Sequence, residues 1–199
     1  MKKFKLTSEF IVDISGVKLF RIKALIEFGN VKAGDLGGYI EKEENLSHMG
    51  DAWVSDDARI SGNAQVFGNA QVFGDAQVFG DAWVFGNAWV FGNAWVFGNA
   101  RVSGNARVSG NARVSGDAQV FGDARVSGDK DYAYAHGFGS CNRTTTFFRL
   151  KDGDVGVRCG CFYGTLAQFR DKVCETHGET KKAQEYLMLA DLMEIRFKN

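Results

Sequence analysis

From residue 50 to residue 128 the chain repeats a six-residue pattern, roughly G-[N/D]-A-x-V-[F/S], without insertion. The aliphatic position falls at Val54, Ile60 and Val66, then every six residues to Val126. A helix of period 3.6 would scatter these residues around its circumference. An extended segment does not. Within A-x-V the alanine and valine share one side, and x shares the other with the following Phe or Ser. The Gly-Asn or Gly-Asp pair then turns the chain, because these residues tolerate positive φ most cheaply. A short strand, a corner and a repeat of both describe a solenoid. Six residues per side and three sides per coil give an 18-residue rung, and rungs stack at about 4.8 Å.

Stacking residues 18 apart sorts the outward chemistry by rung rather than by face. On one face Gln71/Phe73 lies under Trp89/Phe91, which lies under Arg107/Ser109. On the second, Gln77/Phe79 lies under Trp95/Phe97 and Arg113/Ser115. On the third, Gln65/Phe67 lies under Trp83/Phe85 and Arg101/Ser103. Trp83, Trp89 and Trp95 therefore form a belt, one per face. With Phe73, Phe85, Phe91 and Phe97 they make a candidate oligomer interface, since soluble proteins seldom leave contiguous apolar area bare. The alternative is repeat expansion, in which the aromatics stack within their own face and stabilise it without a partner.

Open solenoid ends expose ladder edges and apolar interior, so both flanks are expected to cap. The organisation reads as an N-terminal β cap with an irregular first coil over 1–49, the helix of hexads over 50–128, and a C-terminal module over 129–199. In the first, EFIVDI and VKLFRIKAL flank a Ser15-Gly16 turn, and Ile40 and Leu46 stand one hexad apart. In the last, TTTFFRLKDGDVGVRCGCF predicts two strands around Asp152-Gly153. Thr165 and Gln168 form a capping-box pattern that opens a helix with Leu166, Phe169 and Val173 buried, and Gly178 ends it. A second helix over 181–197 places Ala183, Tyr186, Leu187, Ala190 and Met193 on one side. This predicts a ββαα module.

Composition changes the picture in three ways. The chain has 25 glycines and no proline, which fits backbone hydrogen bonding along much of its length. Its formal net charge is zero, which removes the simplest argument for nucleic acid. MKKFKLTSEFIVDISG lacks the apolar stretch of a signal peptide, and no run approaches membrane-spanning length. The expected place is the cytoplasm, with the four cysteines as thiols.

The hexads resemble those of left-handed parallel β-helices, and the left hand is an implication of that resemblance. The flanks GNVKAGDLGGYIEKEENLS and TTTFFR, VRCGCFYGTL, ETHG and EYL resemble hexapeptide-repeat proteins of phages and prophages. Proteins with this helix usually form parallel trimers, so the resemblance implies a homotrimer. It also brings in acyltransferases that use a histidine base and a loop between rungs. Here the hexads contain neither, and His48, His136 and His177 all lie in the flanks.

Cys159, Cys161, Cys174 and His177 offer enough ligands for zinc. Structural thiols and a histidine at a helix end account for the same residues, so no metal or cofactor is expected. The outward Gln/Phe, Trp/Phe and Arg/Ser pairs lack the threonine rows of ice binding, and GGxGxD of calcium solenoids is absent. The richest polar stretch is HGFGSCNRTTTFFRLK. Its His136, Ser140, Arg143, Thr145 and Arg149 are candidate ligands for a phosphate or carboxylate. The expected function is non-catalytic binding of a small anionic, nucleotide-like host ligand by an oligomer. The alternatives are a scaffold for a host or virion protein, and an acyltransferase.

Overall fold

The computed structural model describes residues 2–140 and 142–198. Cys141, one of the four expected thiols, lies outside them. The hexads form thirteen two-residue strands, β4 (Trp53–Val54) to β16 (Arg125–Val126), one per repeat. They stack as three parallel columns, β4-β7-β10-β13-β16, β5-β8-β11-β14 and β6-β9-β12-β15. Trp89 pairs with Gln71 below and Arg107 above, so the 18-residue register is the one the repeat predicts. Every alanine and aliphatic residue of the hexads is buried, and together they form one core running the length of the prism.

The corners need glycine for two reasons. Gly74 has φ +71°, and a Cβ there would come 3.1 Å from the Gly92 nitrogen of the next rung. Asp56 takes a corner glycine's place at φ +55°. Its carboxylate then accepts the Gly74 N–H at 3.0 Å.

The ladder fixes which backbone groups each end leaves to its cap. Trp53 N–H donates to the Ala70 carbonyl one rung up, Ser55 to Val72 and Asn69 to Gly86, and the pattern repeats to the top. The alanine and glycine carbonyls of the lowest rung and the x and F/S N–H groups of the highest therefore need partners from outside the repeat.

The N-terminal segment answers the carbonyls with donors. β1 (Phe4–Val12) and β2 (Lys18–Ala24) form the expected hairpin, and β3 (Leu36–Ile40) joins β2 to the second column. Ile40 pairs with Ile60, and Leu46 bridges to Val66. Both pairs are 20 residues apart rather than 18, so the first coil is the irregular one expected. Lys3, 1% exposed, donates its ammonium to the Ala52 carbonyl at 2.7 Å and the Gly50 carbonyl at 3.2 Å. Asn45, fully buried, donates to the Ala64 carbonyl at 2.8 Å and the Gly62 carbonyl at 3.1 Å. Burial pushes the Lys3 ammonium down to about 8, with Asp51 pulling partly the other way.

The C-terminal segment answers the N–H groups with acceptors, one for each face. Arg113 N–H donates to Asp129 at 2.8 Å, Gln119 N–H to the Thr146 hydroxyl at 2.9 Å, and Ser127 N–H to Asp131 at 2.9 Å. Beyond the prism the module has four strands rather than the two expected. β17 (Tyr132–Phe138), β18 (Arg143–Arg149), β19 (Val155–Cys159) and β20 (Phe162–Thr165) form one antiparallel sheet in that order. Two helices, α1 (Leu166–His177) and α2 (Lys181–Phe197), follow with the predicted bounds. The Thr165 capping box is formed, and Gly178 ends α1. Alternation along β18 joins the layers: Phe148 is buried in the prism core and Phe147 in the core under the helices.

Candidate functional site

The residues picked out in the sequence fall at two places. The first is the aromatic belt. The Phe67–Phe85, Phe73–Phe91 and Phe79–Phe97 rings stack face to face at 4.9, 4.9 and 5.0 Å, within 5° of parallel. Each tryptophan sets its plane across the Phe one rung below: Trp83 on Phe67, Trp89 on Phe73 and Trp95 on Phe79. Above, the guanidinium groups of Arg101, Arg107 and Arg113 lie 4.8, 4.7 and 5.0 Å from the tryptophan ring centres. The belt is thus outward-facing and self-stacked, yet Trp83 and Trp89 remain 36% and 39% exposed.

The second place is the C-terminal module. Ser140 and Arg143 help to line a cavity of about 190 Å³ between the sheet and the helix pair. α1 contributes Lys172 and His177, and α2 contributes Tyr186. Phe162, Phe169 and Val173 supply an apolar floor. No Asp or Glu is among the lining residues, so three basic side chains face a space without a carboxylate. Lys172 reaches Glu175 at 2.8 Å on the solvent side, where both are largely exposed.

Tyr186 is the hub. Its hydroxyl accepts the Ser140 N–H at 3.0 Å and lies 3.3 Å from the Ser140 hydroxyl. Its ring stacks against His177, with centres 5.8 Å apart. Burial raises its pKa above the ordinary phenol value, so it stays a neutral donor and acceptor at physiological pH.

The remaining candidates sit elsewhere. Thr145 is buried, with its hydroxyl 3.2 Å from the Cys159 sulfur, and so supports the cavity from beneath. His136 is exposed on the neighbouring strand and pairs with the Thr144 hydroxyl at 3.0 Å. Arg149 donates to the Gly153 and Phe197 carbonyls and lies over the Phe197 ring. Arg143 and Arg149 share a strand face six residues apart, so about 20 Å separates them. They cannot close on one small ligand.

Cys159 and Cys161 both line the cavity, and Gly160 at φ +58° turns the chain between them. Cys174 is exposed and does not line it. Among the described residues no three His, Cys, Asp or Glu side chains gather as a metal-ligand group. Lys172 and Tyr186 were missed as site residues. Lys172 follows Phe169 by three and His177 follows Val173 by four, so both border the predicted apolar stripe. That signal was available. Tyr186 read only as core.

Comparison with known families decides the repeat. It matches the YdcK beta solenoid repeat. The matches fall at residues 58–74, 100–116 and 106–120, all within the prism. The flanking cap and module lie outside the matched residues. No curated protein matches the chain. Among the described residues no helix is long and apolar enough to cross a membrane.

Proposed function

We propose that the protein is a non-catalytic binding protein whose solenoid is a scaffold and whose C-terminal module holds a small anionic ligand. The observation that supports this most is the cavity where Arg143, Lys172 and His177 line a carboxylate-free space above an apolar floor. The hydroxyls of Ser140 and Tyr186 add hydrogen bonds of the kind a phosphate or carboxylate accepts. Its volume of about 190 Å³ is small for a ligand pocket, so it takes the anionic head of a ligand and leaves the remainder at the rim. A nucleotide fits this reading through its phosphate.

The resemblance of the flanks to phage and prophage hexapeptide proteins supports a role in the cytoplasm of a bacterial host, where the ligand would be a host metabolite. Homotrimers are the expected assembly. A scaffold that docks a host or virion protein is the second reading, supported by the exposure of Trp83 and Trp89.

Thermal-shift screening with inorganic phosphate, nucleotides and small carboxylates tests the first reading. A binder should raise the melting temperature, and Arg143→Ala and Lys172→Ala should each weaken it about tenfold or more. Arg149→Ala, at the far end of β18, should leave affinity unchanged. Loss on Arg149→Ala with none on Arg143→Ala would reject the cavity.

A further inference from the structure

A second cavity opens at the other end of the prism, where the third face stops. Its lowest complete strand is β6 (Gln65–Val66), and below it only Leu46 bridges to Val66. Ser47 therefore stands beneath Phe67. Phe67 carries Phe85 on its upper face at 4.9 Å and 4° from parallel. No ring covers its lower face: its aromatic partners among the described residues are Phe85 and, edge-on, Trp83. The groove beneath holds about 640 Å³, within the range of small-molecule sites.

The polar groups of this groove differ from those at the top. Glu43 and Glu44 line it, and no Lys or Arg does. His48, also in the lining, has its pKa lowered by burial and is neutral. Lys3 N–H donates to its Nδ1 at 3.2 Å, which puts the ring proton on Nε2. That nitrogen has no hydrogen-bond partner. The Glu43 carboxylate lies 3.9 Å away, while Lys2 holds it at 2.7 Å.

We propose that this groove binds a planar nitrogen heterocycle of the adenine class, whose ring takes the next place in the Phe85–Phe67 stack. A flat ring continues a ladder whose spacing is already set. A ring nitrogen gives the His48 Nε2–H the acceptor it lacks, after a side-chain rotation of Glu43. An exocyclic amino group donates to the Glu44 carboxylate. The carboxylates and the missing cations disfavour phosphate here, so the ligand is a base or nucleoside rather than a nucleotide. The groove lies at the opposite end of the prism from the anion cavity and does not rest on it.

Adenosine titrated into the full chain by calorimetry tests this, with the His48 imidazole followed by NMR. The expected result is saturable binding that shifts the His48 signals. Phe67→Ser should weaken it about tenfold or more, in line with loss of one base–aromatic stack. Serine already occupies the same repeat position at Ser55 and Ser61, so the rung should hold. Phe79→Ser makes the same change on another face and should leave binding unchanged. No binding at millimolar adenosine, equal binding by the Phe67→Ser protein, or equal binding of ribose alone would overturn the proposal.

Discussion

The two ends of the prism differ in the side chains that meet their unpaired backbone groups. The N–H groups at the x and F/S positions point up the axis and the alanine carbonyls accept from below, so the lowest alanines leave carbonyl oxygens and the highest x and F/S positions leave amide hydrogens. The base is closed by a lysine and an asparagine that donate; the top is closed by two aspartates and a threonine that accept. The difference teaches that caps are matched group by group: at the top Tyr132 also donates its hydroxyl to the Arg113 carbonyl, and at the base the Glu41 carboxylate accepts the Gly62 N–H.

Removing an acceptor at the top should have the largest effect. The Asp131 carboxylate takes the Ser127 N–H, the Ser127 hydroxyl and the Gly128 N–H at 2.9, 2.7 and 3.1 Å. Burial pushes its pKa up, but these bonds outweigh burial and hold it below the ordinary value. Asp131→Ala should cost about 4 kcal/mol, read as a lower urea midpoint with unchanged slope. Because the folded pKa is depressed, this stability is present above the unfolded pKa and is lost as pH falls through the folded one. A loss no greater than that from a mid-prism corner substitution would break the comparison.

At the base the charge is reversed but the slope keeps its sign. Lys3 titrates near 8 when folded and near 10.5 when unfolded. Between those values the unfolded chain binds more protons, so stability should rise with pH. By pH 10 the gain should be about 2 kcal/mol. Lys3→Met should flatten the rise in denaturation series run from neutral to alkaline pH. Above pH 10 the raised pKa of buried Tyr132 works the other way. A wild-type series that falls from pH 8 would show that Lys3 is not held as described.

The prism was legible because one period fixed everything about it. Alternation within A-x-V set which residues face inward, and the 18-residue coil set which outward residues meet. The helices were legible through Thr165, Gly178 and the apolar stripe. The caps were not. Nothing in MKKFK separates Lys3 from Lys2, although one is buried against carbonyls and the other reaches Glu43. Their difference depends on which carbonyls of the first rung, Gly50 and Ala52, lack a partner within the repeat. β17 was missed because its pairing depends on β18 across an intervening turn. β20 was missed because Gly164 weakens a short strand pattern. The cavity under the helices draws on β18, β19, β20, α1 and α2, so only its β18 contribution could be guessed.

The smallest effect belongs to the middle, where asparagine side chains form directed columns along the prism. Asn69 donates to Asn87 at 3.1 Å, Asn87 to Asn105 at 3.3 Å, and Asn105 to Asp123 at 3.1 Å. The column ends on a group that only accepts, as do Asn63 on Asp81 and Asn99 on Asp117. Each asparagine is exposed, so water replaces whatever partner is lost. Asn87→Ala should therefore cost less than about 1 kcal/mol in the urea series that tests Asp131. The contrast lies in access to solvent. The Asn87 partners turn to water, while the Ser127 and Gly128 donors under Asp131 are shielded by the module that caps them. Equal losses at the two positions would mean that water reaches the top of the prism and that the C-terminal module does not seal it.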